Sequence, residues 1–247
     1  MLRSYLLCIT YDGSDFCGYQ IQDNGRTVGG VMLAALRRVF GDVVNMAGCS
    51  RTDSGVHALN YFISFKAESN MSPETVVKAV NANLPDDVSV KSCSLVPDDF
   101  HARYSVVSKE YEYRMYHSDV RSPFLRDHAL FLRYPLNVPL LNEAASHFVG
   151  KHDFRSFMAS GSKITDTVRT VFKAEVTDVG NGFVNFNIAA DGFLYNMVRI
   201  AVGTLLEVQQ GKLSPSDIPT VIEAMDRNKA GFTASAHGLY LKEVKYL

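Results

Sequence analysis

Disulfide and metal-site chemistry has little to work with in this sequence. The 247 residues hold four cysteines, Cys8, Cys17, Cys49 and Cys93. None forms a C-x-x-C pair and none has a histidine at ligand spacing, which argues against a zinc site or a disulfide scaffold. They read as buried small hydrophobes in a reducing compartment. Long hydrophobic runs are missing too. The apolar stretch in MLRSYLLCITYDG is too short for a signal peptide. The greasiest segment, FLYNMVRIAVGTLLEV over Phe193–Val208, is too short for a membrane span and carries Arg199. Cytoplasm is the expected location. Nor is one sign of charge in excess: the formal net charge is −1, so a nucleic-acid partner has to meet a local basic patch. Arg26, Arg37, Arg38, Arg51, Arg155, Lys163 and Arg169 are available for it.

Familiar catalytic signatures are also lacking. The glycine-containing loop Tyr11–Gln20 has no Lys-Ser/Thr pair and no dinucleotide spacing, so it fits a substrate-contacting loop better than a phosphate cradle. His101 and the His152-Asp153 pair lie near carboxylates, but no serine stands in a nucleophile-elbow context, and structural roles are expected for them. A carboxylate-dependent hydrolase would need a second catalytic acid at a persuasive position.

What is present is a polar turn, Ser50-Arg51-Thr52-Asp53-Ser54-Gly55-Val56-His57-Ala58, between two strand-like stretches. Val43–Met46 precede it, and Tyr61, Ile63 and Phe65 alternate after it. Strands fix the ends of such a loop and so aim its side chains, Asp53 above all. The bland alternative is a surface turn in which Asp53 caps a backbone N–H. Far along the chain, Phe193–Val208 is apolar on nearly every face, as a core helix is. Gly192, Tyr195, Asn196, Arg199 and Gly203 recur on it at helical spacing. A guanidinium there either snorkels to water or pairs with an anion, for which Asp53 is the obvious candidate.

The element pattern supports an α+β chain of two halves. Ser4–Thr10 reads as a strand. Thr27 caps a helix over Val28–Phe40 that Gly41 ends, with Val28, Met32, Ala35, Leu36 and Val39 inward and Arg37 and Arg38 outward. Strands near Val43–Ser50 and Leu59–Lys66 follow, then a helix opened by Ser72-Pro73 and reaching about Asn83, and a strand over Val88–Leu95. This is the split β-α-β-β-α-β order of ferredoxin-like folds. The second half repeats it: a strand at Val107–His117, a helix at Leu140–Val149, strands near Val168–Thr177 and Phe183–Ala189, and the buried helix. A short helix from Ser216 to Arg227 and a strand at Leu239–Lys245 complete it, while Ser118–Pro139 reads as irregular. Residues 1–100 and 101–247 are expected as two ferredoxin-like units with adjoining, mainly antiparallel sheets and a central catalytic cleft. Of the aromatics, Tyr111 and Tyr113 share a strand face, where at least one packs inward and one could stack on a flat ring.

These pieces resemble the tRNA pseudouridine synthase A family over almost the whole chain. The matching segments are Tyr11-Asp12-Gly13 with Phe16–Gln20, Arg51–Ala58, Asn81–Pro85, Phe100–Arg103, Lys109–Tyr113, Gly150–Phe154, Asn196–Arg199 and Gly238–Leu241. The resemblance implies the pseudouridine synthase fold and isomerisation of uridine to pseudouridine at positions 38–40 of the tRNA anticodon stem-loop. No cofactor or catalytic metal is implied, and the partners are tRNA and a second copy in a homodimer. Residue by residue, it makes Asp53 the nucleophile, Tyr111 the active-site tyrosine and Arg199 the basic partner of Asp53. Arg51 would open the anticodon arm or hold the flipped nucleotide, and Leu239 would line the pocket. Four positions depart from the family pattern: Ser50 replaces a usual Gly, Tyr19 a frequent Trp, and Phe232 and Ser235 two prolines. A structured-RNA-binding protein of the same fold without turnover is the rival reading.

Overall fold

In the computed structural model, which describes residues 1–162 and 164–247, the chain forms two units. Met1–Val107 and Leu241–Leu247 make the first, and Ser108–Tyr240 the second. Lys163, a candidate for the basic patch, lies outside the described residues.

The first unit runs β1 (Leu2–Tyr11), α1 (Val28–Phe40), β2 (Val44–Gly48), β3 (His57–Glu68), α2 (Pro73–Asn81) and β4 (Val88–Leu95). Its strands are antiparallel: β1 lies between β3 and β4, and β2 pairs with β3. Both helix starts are written locally. The Thr27 side chain accepts from the Gly30 amide and that of Ser72 from the Thr75 amide, each satisfying one of the amides a helix start leaves without a partner. Gly41 ends α1 at φ 75°, a conformation costly for side-chain-bearing residues. Alternation along β3 puts Tyr61, Ile63 and Phe65 inside beside Tyr5, Leu7 and Ile9 of β1. Burying each contributes about 1.5–3 kcal/mol. Phe40 joins α1 to this layer, its ring 5.6 Å from that of Tyr5 and 5.5 Å from that of Phe65. Asn81 at the end of α2 exchanges two hydrogen bonds with the Val90 backbone of β4. On α1, Val28, Met32, Ala35 and Leu36 are buried as expected, whereas Val39 is half-buried.

The second unit contains β5 (Val106–His117, from Ser108 onward), β6 (Leu130–Leu132), α3 (Val138–Ser146), β7 (Gly150–Asp153), β8 (Val168–Gly180), β9 (Phe183–Ala190), α4 (Met197–Gln209) and α5 (Ile218–Glu223). A last strand, β10 (Leu239–Tyr246), begins in this unit and ends in the first. The order β5-β9-β8-β7 is antiparallel, and β6 lies parallel to β5. Asn142 fastens α3 to β8 through the amide and carbonyl of Val176.

The β-α-β-β-α-β order therefore appears in each half, with insertions in the second. The stretch expected to be irregular holds a 3-10 turn at Pro123–Leu125, the strand β6 and the first turn of α3, which Asn137 caps. The core helix begins at Met197 rather than Phe193, because Asn196 takes a left-handed conformation (φ 61°) that breaks the helix before it. Ten of its thirteen residues are buried, as its all-round apolar character requires. The cysteines are all free, but only Cys8 and Cys49 are buried; Cys17 is exposed because it sits on the loop after β1, away from the sheet.

Candidate active site

Asp53 sits on a loop that distant parts of the first unit hold in shape. Thr52 beside it is buried, and its hydroxyl shares a 2.8 Å hydrogen bond with that of Tyr11 on β1. The Thr52 carbonyl accepts from the Tyr19 amide at 3.2 Å. This approach depends on Gly18: at φ 87°, a Cβ there would fall 2.4 Å from the same carbonyl. After Asp53 the chain turns, the Val56 amide donating back to the Asp53 carbonyl at 3.2 Å. The Gly55 amide and the Ser54 hydroxyl both donate to the Phe16 carbonyl. At the exit, buried His57 accepts from the Gly13 amide at 3.0 Å through Nδ1, which lies 3.1 Å from Asp12 Oδ1. On the entry side the buried hydroxyl of Tyr61 bonds the Ser50 carbonyl, and the Tyr19 ring stacks on Tyr61 at 4.5 Å. Burial pushes the ionisation of both phenols above the ordinary tyrosine range, so they stay neutral struts. The loop is thus supported along its length, with Asp53 half-buried and Arg51 exposed.

The other sequence-derived site residues belong to the second unit. Tyr111 on β5 is 7% exposed and meets Phe193 edge-on at 4.9 Å. Tyr113, two residues on, is fully buried with its hydroxyl on the Ser235 carbonyl at 2.8 Å, and burial raises its ionisation. Leu239, the first residue of β10, is buried. Arg199, on the first turn of α4, is half-buried. Its Nε donates to the Ala234 carbonyl at 2.6 Å and its Nη1 to Asn196 Oδ1 at 2.8 Å. Both of these acceptors are neutral oxygens, and they orient the guanidinium. Ala234 reaches it because residues 231–234 press on α4: a Cβ on Gly203 would lie 1.8 Å from the Phe232 carbonyl. The Gly231 amide donates to the buried Thr204 hydroxyl at 2.9 Å. Of the expected stripe, Gly192 and Tyr195 precede the helix and do not share its face.

Several of the basic residues available for a patch have acidic partners. Arg26 is bidentate on Asp87 and lies over the Phe16 ring at 4.1 Å. Arg155 pairs with Asp153 at 3.5 Å, and Arg169 lies 3.9 Å from Asp166. Arg37, Arg38 and Arg51 are exposed. His152 bonds the Val149 carbonyl and Asp153 accepts from the Arg155 amide, both structural roles, while His101 orders its own loop. A cavity of about 350 Å³ in the first unit, lined by Ser4, Asn45, Ser64, Lys66 and His101 among others, does not include the Asp53 loop. Sequence reading missed Tyr11 and Thr52 as loop supports and Ala234 as an Arg199 partner. The last offers only a backbone carbonyl and leaves no side-chain signal.

A family model described as tRNA pseudouridine synthase matches residues 7–105 and 144–247. The chain is 42% identical over 245 residues to the tRNA pseudouridine synthase A of Ruminiclostridium cellulolyticum, covering 99% of this chain and 100% of the relative. The protein of that name from Anoxybacillus flavithermus is 44% identical over 246 residues, 99% of each chain. The chain belongs to the tRNA pseudouridine synthase family. As a tRNA pseudouridine synthase family member it is an enzyme, an isomerase. The segments matched to the family model include Arg51, Asp53, Arg199 and Leu239, while Tyr111 falls between them. Among solved structures there is a distant likeness to an H/ACA RNP bound to a substrate RNA containing 2'-deoxyuridine. It covers 82% of this chain and 43% of the other at 11% identity and a TM-score of 0.38.

Proposed function

We propose that this isomerase converts uridine to pseudouridine in the anticodon stem-loop of tRNA, with Asp53 as nucleophile, Arg199 as its basic partner and Tyr111 as the active-site tyrosine. The observation that carries the reading is the Asp53 loop itself, its backbone tied to Tyr11, Phe16, Tyr19 and Tyr61. A surface turn needs no such support, whereas a reacting carboxylate has to be held in place. The names of the relatives supply the substrate class.

The reaction breaks the N1–C1′ bond, rotates the uracil and joins C5 to C1′. The proton on C5 is then lost and N1 gains one, so nothing is oxidised or reduced. Asp53 either attacks C1′ of the ribose, attacks C6 of the base, or assists elimination toward a glycal. Each route needs the carboxylate ionised, and a fixed guanidinium favours that form. The nucleotide has to leave its stack first, at a cost of a few kcal/mol. Arg51, exposed on the same loop, is suited to hold the displaced strand. Tyr111 either stacks on the ring or relays the C5 proton, and Leu239 lines the pocket. The active form is a homodimer that holds one tRNA across both subunits.

Tritium release from tRNA carrying 5-³H-uridine tests this. Release by the natural protein and none by Asp53→Asn, with tRNA binding kept, is the expected result. Equal release by both moves catalysis to another residue. Binding without release by either favours an RNA-binding protein.

A further inference from the structure

We propose that His101, Arg103 and Tyr104, on the loop between β4 and β5, form a stacking platform for an unpaired nucleobase of the RNA substrate. The platform lies on a different loop from Asp53, and the proposal rests on the tRNA reading above.

Tyr104 is 77% exposed, yet it stands on a loop fastened by several hydrogen bonds. Its ring lies 4.3 Å from that of His101, inclined by 32°. The imidazole is itself held, since Nδ1 accepts from the amides of Arg103 at 3.1 Å and Tyr104 at 3.4 Å. Ser105 closes the loop with one bond to the His101 amide and one to its carbonyl. Ala102, fully buried, pins the loop to the sheet: its amide donates to Ser64 Oγ on β3 at 3.0 Å, and its carbonyl accepts from the Tyr246 hydroxyl at 2.7 Å. Phe62 and Phe100 pack on the Tyr246 ring beneath. An exposed tyrosine on so braced a loop has little conformational freedom left to lose on binding.

The chemistry of the surface selects the occupant. An exposed aromatic ring accepts any base by stacking, and the exposed Arg103 guanidinium, over the Tyr104 ring at 5.8 Å, supplies a cation for the adjoining phosphate when a base takes its place on the ring. The loop also carries Asp98 and Asp99. Asp98 is engaged by Ser4 Oγ at 2.7 Å and by Lys66 at 3.9 Å, and both carboxylates are exposed and repel phosphate. The strand therefore has to cross on the Arg103 side.

The test measures equilibrium binding of labelled tRNA to the full-length protein, natural and carrying Tyr104→Ala, Tyr104→Trp or Arg103→Ala, over a series of salt concentrations. A stacking platform predicts that Tyr104→Ala weakens binding by about tenfold or more while Tyr104→Trp keeps it. The Arg103→Ala loss should shrink as salt rises and the Tyr104→Ala loss should not. In turnover the Tyr104→Ala defect should fall on KM. Tyr104→Ala binding tRNA as the natural protein does, with an unchanged melting curve, overturns the platform and leaves its ring for a protein surface. A natural protein that binds no tRNA overturns the platform and the substrate reading together, so the two failures are distinguishable.

Discussion

Arg199 and Ala234 exchange a pair of hydrogen bonds: the guanidinium Nε donates to the Ala234 carbonyl at 2.6 Å, and the Ala234 amide donates to the Arg199 carbonyl at 3.0 Å. With Asn196 on Nη1, two neutral oxygens help set the direction of an arginine on a mostly buried helix. Snorkelling alone, the bland expectation for this residue, needs neither acceptor.

Asn196→Gly separates the two jobs of that asparagine. Glycine accepts the φ of 61° but offers no side-chain acceptor, so helix α4 keeps its start while Nη1 loses its partner. A hydrogen bond to a charged group contributes about 1.5–3 kcal/mol. If that loss falls on the transition state, kcat should drop by about 10- to 100-fold. Steady-state kinetics beside a melting curve check this, and an unaltered kcat would remove Asn196 from the positioning of Arg199.

Gly203→Ala should damage stability and activity together. The new methyl group would lie 1.8 Å from the Phe232 carbonyl, which is backbone and has to shift. Overpacking of this kind costs about 1–3 kcal/mol. The same shift would pull Ala234 from Arg199. Thermal melting and tritium release should therefore fall together, and restored turnover in a fully stable variant would contradict the coupling.

Thr52→Val and Tyr11→Phe each delete one side of a buried hydroxyl pair. Each should cost about 1–3 kcal/mol because the remaining hydroxyl is left without that partner. The double variant should cost less than the sum of the two. A double-mutant cycle in urea measures the difference, and strict additivity would show the bond contributes nothing.

The thiols should react in order of exposure and ionisation. Burial, and then the Glu74 carboxylate, push the Cys93 thiol up to about 12, and burial raises Cys8 despite Lys91. At pH 8 both stay protonated and unreactive, while Cys17 is exposed. Iodoacetamide should label Cys17 first, with Cys8 and Cys93 following once urea unfolds the chain, as peptide mass spectrometry would show. The linkage has a sign. A thiol whose pKa rises on folding keeps a proton that the unfolded chain sheds, so the Cys93 contribution is full below about pH 9 and is lost progressively as pH rises towards about 12. Cys93→Ala should flatten the alkaline decline in stability.

What the sequence made legible was local. Thr27 and Gly41 bound α1 through their own backbone and side-chain chemistry, so its limits could be read to the residue. The start of α4 could not, since Phe193 and Leu194 continue the apolar pattern and only the conformation of Asn196 interrupts it. The strands β6 and β7 are three and four residues long and too short to carry a period. Asp53 stood out by its neighbours in the chain, but the Tyr11 that steadies it is 41 residues from Thr52. Several candidate arginines looked available because an acidic partner such as Asp87, 61 residues from Arg26, is invisible to a scan of composition.

The seam between Gly203 and Phe232 also bears on how such a chain can drift. Phe232 turns its backbone to the glycine, and its residue as a whole is 48% exposed. The contact with Gly203 is made by the main chain of Phe232, so exchanging its exposed side chain leaves the group that abuts Gly203 in place. Position 203 has no such latitude: a first step to any larger residue meets main chain. The two faces of one contact therefore differ in tolerance, one open to substitution and the other closed to it by main chain.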